Sequence, residues 1–166
     1  HGAILRCGYG DNIASQDDKQ YKRNADECTR LGIPWGVYIY RYEKNTAQAK
    51  SEAEHVLRLV APYNDVMSYP VYYDLEEKGT ESVAVQNALV FGDIIESNGY
   101  MCGIYAGQSW WQKYIGSRLD KYTKWVARYN SQKPVGISGT YDIWQYSSGG
   151  SVPGINGRVD VNEVYR

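Results

Sequence analysis

The run YPVYYDLEEKG, residues 69–79, decides how this chain folds. Val71, Tyr72 and Tyr73 favour a strand. A strand points residues i and i+2 to the same side, roughly 6.6 Å apart along the chain. Asp74 and Glu76 therefore face one way, at the end of a run that belongs in a core. Carboxylates in that position must be solvated, paired or used.

Outward from this strand, strands and helices alternate. AILRC (Ala3 to Cys7) is a strand, and Lys19 to Leu31 a helix stopped by Gly32 and Pro34. WGVYIY (Trp35 to Tyr40) is the next strand. A helix over Thr46 to Ala61 carries Ala53, Val56, Leu57 and Val60 on one face, with Asn45 as its N-cap and Gln48 three residues on. After the central strand, Val83 to Ser97 is a helix with Ala84, Ala88, Phe91 and Ile95 on one stripe. MCGIYA (Met101 to Ala106) is a strand, and the Ser109–Gln112 spacing predicts a capping box opening a short helix. Three further strands, KWVARY (Lys124 to Tyr129), YDIWQYS (Tyr141 to Ser147) and RVDVNEV (Arg158 to Val164), are separated by intervals too short for full crossover helices.

This order implies a parallel sheet with right-handed crossovers. Seven strands fit a βα barrel short of one strand, or an open doubly wound sheet. CGYGDN is not the dinucleotide fingerprint G-x-G-x-x-G. Polar and aromatic residues recur at the C-terminal strand ends, where barrels place their sites, so the barrel is expected.

Composition narrows the function. The 166 residues suffice for one domain, and 43% hydrophobic content argues against disorder. A net charge of −1 with scattered Lys and Arg excludes a nucleic-acid stripe, and no apolar run is long enough to insert in a membrane. There are 17 Tyr and 5 Trp against a single Phe. Such rings suit either a Tyr-rich core or a wet, sugar-binding groove. Cys7, Cys28 and Cys102 form no metal or disulfide pattern and are expected as buried free thiols. His55 is expected at the surface of its helix, and no cofactor is implied.

Asp160 lies in VDVN, where Val159 and Val161 take one face and Asp160 and Asn162 the other. If the last strand joins the barrel, Asp160 can join Asp74 and Glu76. Clustered carboxylates repel, so one should hold its proton to higher pH. A protonated acid beside an ionised one is what glycoside hydrolysis requires. By itself D-x-E reads first as two solvated rim residues, or as partners of Arg6 and Arg128. A magnesium or calcium site is the weaker option, since no ligand series supports it. Glu77, Lys78 and Glu81 read as solvated loop, and Trp110-Trp111 as helix packing.

YPVYYDLEEKG followed by YDIWQYSSGGSVPGINGRVDVN resembles the glycoside hydrolase family 25 lysozymes, the Chalaropsis-type N-acetylmuramidases. AILRCGYG, LGIPWGVYIY, GIYAG and WVARY resemble that family's strands in order. The resemblance implies a modified TIM-like barrel of five βα units followed by three β-strands. It implies cleavage of the β-1,4 bond between N-acetylmuramic acid and N-acetylglucosamine in peptidoglycan glycan strands. By position, Glu76 would be the general acid and Asp74 its partner, stabilising the oxocarbenium-like transition state or orienting the N-acetyl group. Asp160 would be an auxiliary acid. Tyr38, Tyr40, Tyr105, Trp125 and Trp144 would line the substrate groove.

Family members begin with a G-I-D-V-S strand whose Asp joins the cluster, and nothing like it precedes Ala3. Residues 1–166 are thus expected to form a single catalytic domain lacking the first strand, with open edges through which another chain could pair. The competing expectations are a non-catalytic peptidoglycan-binding barrel and a chitinase-like glycosidase, since chitinases also end a strand in D-x-E. The expected place of action is the cell wall, reached by secretion or by release from the cytoplasm if phage-encoded.

Overall fold

Seven strands lie side by side in sequence order in the computed structural model, which describes residues 1–42 and 44–165. They are β1 (Ala3–Tyr9), β2 (Trp35–Tyr40), β3 (Val71–Asp74), β4 (Cys102–Gly107), β5 (Thr123–Ala127), β6 (Ile143–Gly150) and β7 (Val159–Val164). β1 to β6 are parallel, and β7 returns antiparallel to β6. The crossovers run through α1 (Tyr21–Arg30), α2 (Thr46–Val60) and α3 (Ala84–Ser97), then a short α4 (Gln108–Trp110) that continues as a wide turn over Trp111–Ile115. Beyond β5 the connections carry no helix, which is the predicted change of rhythm.

Alternation along the strands separates two cores. Val37, Ile39, Val71, Tyr73, Ile104 and Val126 face the helices, where Ala53, Val56, Val60, Ala88, Phe91 and Ile95 cover them. The Tyr73 and Phe91 rings stack at 3.9 Å. The opposite face carries Tyr72, Tyr105, Trp125 and Ile143, with Ile4, Tyr38 and Ala127 against them. Gly103 makes room there: a Cβ would lie 2.4 Å from the Tyr72 ring.

That inner face is strongly curled. Tyr38 on β2 and Trp125 on β5 are three strands apart, which in a flat sheet is about 14 Å. Their ring centroids are 6.2 Å apart. Among the described residues β1 pairs only with β2 and β7 only with β6, so the curl stays open. The sheet is a curled half-barrel of seven strands, as the βα order implies.

The helix signals hold in most places. Asn45 Oδ1 accepts from the Gln48 amide at 2.9 Å, capping α2. Gly32, at φ 64°, follows the end of α1. Two expectations fail. No Ser109–Gln112 capping box forms: Gly107 is the N-cap, without a side-chain bond, and Gln112 donates to the Val135 carbonyl instead. His55 is not at the surface but fully buried. Its Nδ1 is 3.0 Å from the Gly10 carbonyl oxygen and its Nε2 2.7 Å from Asp17 Oδ1. The helix turns this residue toward the loop after β1, a partner that periodicity along α2 does not reveal. Cys7 and Cys102 are buried and Cys28 half-buried, all as free thiols. Trp111 is buried and Trp110 packs partly buried against the helix-side core.

Candidate active site

β3 ends at Asp74, in register with Tyr40 on β2 and Tyr105 on β4. The ladder runs one step further, where the Leu75 amide donates to the Tyr105 carbonyl at 2.8 Å. Leu75 is fully buried on the helix side. Period-2 alternation therefore returns Glu76 to the inner face with Asp74. On β7, Asn162 Oδ1 accepts from the Trp125 indole N–H at 2.7 Å. That bond fixes the inner face of β7, and Asp160, two residues earlier, shares it.

These elements enclose a cavity of about 130 Å³ at the C-terminal end of the parallel strands. Its walls are Asp74, Glu76, Asp160, Tyr38, Tyr105, Trp125, Tyr129 and Gln145. Trp125 is the hub of the ring cluster, edge-on to Tyr38, Tyr72 and Tyr105 at 6.2, 5.2 and 4.7 Å. Gln145 Oε1 accepts from both the Tyr105 and Tyr129 hydroxyls at 2.8 Å. Burial holds the Tyr38 hydroxyl up at about 12 and Tyr105 higher still, so both stay neutral.

The carboxylates are not equivalent. Asp74 is 4% exposed, and its Oδ1 is buried with no hydrogen-bond partner among the described residues. Burial pushes its pKa well above the usual carboxylate range, and the Glu76 charge adds to this, against the opposing pull of Arg41 and Arg6. Glu76 stands exposed at the mouth of the cavity. The walls around it still strip enough water to raise its pKa, and the Asp160 and Glu77 charges raise it further. No ion pair joins Asp74, Glu76 or Asp160 to a cation among the described residues. Arg128 is turned away, donating to the Lys133 carbonyl. The reading of these carboxylates as salt-bridge partners of Arg6 and Arg128 is therefore not what the fold builds. Nor does any group of three or more His, Cys, Asp or Glu among the described residues stand where it could hold a metal ion.

Six of the eight residues singled out in the sequence thus meet in one cavity: Asp74, Glu76, Asp160, Tyr38, Tyr105 and Trp125. Tyr40 and Trp144 do not line it. The Tyr40 hydroxyl donates to Glu77 Oε2 at 2.7 Å, beside the site, so Glu77 is a partner and not merely solvated loop. Trp144 has the opposite parity to Ile143 and Gln145 on β6, and its indole N–H donates to the Arg128 carbonyl at 2.9 Å. Tyr129 and Gln145 take part without having been predicted. Gln145 had a signal: once Ile143 is placed inward, period 2 brings Gln145 inward with it.

Comparison with known proteins agrees with this geometry. Residues 12–155 match the family described as Glycosyl hydrolases family 25. YegX of Escherichia coli O157:H7 is 31% identical over 163 residues, 96% of this chain and 57% of that protein. The autolytic lysozyme of Clostridium acetobutylicum is 27% identical over 148 residues, 88% of this chain and 44% of the other. The modular autolysin LytC of Streptococcus pneumoniae, solved in complex with a synthetic peptidoglycan ligand, superposes with a TM-score of 0.77 at 31% identity, covering 97% of this chain and 40% of that one. The chain spans about half the length of the relatives it matches. With the family match across most of its length, this chain belongs to the glycosyl hydrolases of family 25.

Proposed function

We propose that this domain hydrolyses peptidoglycan, cutting the β-1,4 bond between N-acetylmuramic acid and N-acetylglucosamine with Glu76 as general acid. The observation that carries the reading is the cavity itself: three carboxylates on one aromatic-walled face, two of them with raised pKa. Glu76, reachable from solvent and holding its proton to higher pH through burial, gives that proton to the glycosidic oxygen as the bond to the anomeric carbon breaks. A water then adds at that carbon, its oxygen becoming the new hydroxyl and its proton returning to Glu76. Asp74, buried beneath it with an oxygen that has no partner among the described residues, accepts the N–H of the substrate's N-acetyl group. Asp160 keeps the Glu76 proton in place by its own charge. Trp125, Tyr38 and Tyr105 offer ring faces and edges to the sugar. The cavity holds only part of one sugar, so the rest of the glycan strand lies along its open mouth. The place of action is the cell wall. The open edges at β1 and β7 pair with a strand of another chain, and light scattering that finds only single chains would contradict this last point.

The test uses purified cell walls. The protein should clear the suspension, and borohydride reduction should label muramic acid as the new reducing end. Label on glucosamine would refute the bond assignment. Cleavage of chitin oligomers but not of walls would replace the reading with the chitinase-like one. Sedimentation with walls and no new ends would leave a binding barrel.

A further inference from the structure

We infer that Arg41 and Tyr40, adjacent at the end of β2, form a two-point clamp that positions Glu76. This rests on the hydrolase reading above, with Glu76 as the acid. Glu76 lies beyond the end of β3, and among the described residues its backbone makes no ladder bond. Its placement depends on what fixes the turn over residues 75–80.

On the near side, Leu75 is pinned to β4 through the Tyr105 carbonyl. On the far side the last side chain of β2, Tyr40, and the next residue, Arg41, do the work. Tyr40 donates its hydroxyl to Glu77 Oε2 at 2.7 Å. Arg41, fully buried, donates through Nη2 to the Thr80 carbonyl at 3.3 Å and to Thr80 Oγ1. Thr80 Oγ1 passes the restraint on, donating to the Glu77 carbonyl at 2.6 Å. The guanidinium is backed by the Trp110 ring of α4, 5.8 Å away. Consecutive residues on a strand point to opposite faces. Tyr40 thus grips the turn from the inner face and Arg41 from the helix side, and Glu76 sits between the held residues. Arg41 also brings a positive charge toward Asp74. Neither residue need touch the substrate, so both are positioning residues.

The planar fork of arginine suits two acceptors on one residue, and lysine would not reproduce it. The full chain should be compared with Arg41→Lys, Tyr40→Phe, Thr80→Val and the conservative Thr80→Ser. Two readouts are needed: amide hydrogen exchange, and kcat and KM on peptidoglycan. Tyr40→Phe and Thr80→Val keep shape and should fold. In these two and in Arg41→Lys, exchange over residues 76–80 should quicken about tenfold while β3 and β4 stay protected. Misplacing the acid should lower kcat by about 10- to 100-fold, with KM changed by less than about twofold. Thr80→Ser should restore both. Unchanged exchange in the turn overturns the clamp, whatever the activity. Quickened exchange with unchanged kcat overturns its positioning role. If the unaltered chain releases no reducing ends, the hydrolase reading fails and exchange alone decides the clamp.

Discussion

Trp125 on β5 donates its indole N–H to Asn162 on β7 at 2.7 Å, over the top of the intervening strand β6. This bond sets the phase of the last strand and so brings Asp160 to the cavity. Asn162→Ala removes the acceptor and leaves an almost fully buried indole donor without it. The expected loss of stability is about 1–2 kcal/mol, read by urea denaturation. Activity should fall more than stability explains, because Asp160 loses its register. A variant with full activity would show that Asp160 is placed by something else.

Asp74 should cost the fold stability at neutral pH. Its folded pKa lies above the unfolded value, so the folded state holds the proton more tightly. Stability from this group falls as pH rises from about 3.9 through the folded pKa. Asp74→Asn should therefore be more stable than the parent at pH 7, match it near pH 3, and lose activity. Melting curves at the two pH values check the sign.

The charge of Asp160 raises the pKa of Glu76. A general acid works only while protonated, so the rate falls as pH rises through that pKa. Asp160→Asn should lower it and move the alkaline limb of the activity profile to lower pH. A limb that stays in place, or moves up, would contradict the assignment of that limb to Glu76.

Asp17 stabilises the far side of β1. Its hydrogen bond from Arg58 depresses its pKa most; burial opposes this, and the His55 contact adds a further lowering, so the net shift is downward. Arg58 donates to both oxygens, at 2.6 and 2.9 Å. A depressed carboxylate contributes stability above its unfolded pKa and loses it as pH falls through the folded one. Asp17→Asn should cost about 2 kcal/mol at pH 7. The difference should shrink as the parent is acidified below about pH 4, which a denaturation series across pH would show.

Much of this site was legible before the fold was known, for physical reasons that differ by residue. Asp74 and Glu76 could be read because a short run of Val and Tyr fixes a strand, and a strand fixes parity. Asp160 and Asn162 could be read the same way, from valines that alternate with them. Trp144 misled because WQY gives no phase by itself. The phase of β6 comes from Ile143 entering the inner cluster, a contact made with β3, β4 and β5. Tyr40 has the right parity, but its hydroxyl is taken by Glu77, a partner across strands. His55 was missed because a buried imidazole needs hydrogen-bond partners, and its two lie 38 and 45 residues away in the chain. Local pattern reveals elements and faces; it does not reveal which polar groups find each other once the sheet curls.

Glu76 is the residue proposed to deliver the proton. The direct measurement is kcat for release of reducing ends from purified peptidoglycan by Glu76→Gln, alongside its melting temperature. The expected result is a fall of about 10²- to 10⁴-fold with the melting temperature kept or raised, since an exposed rim residue with a raised pKa contributes no packing. Full activity in a folded Glu76→Gln protein would contradict it.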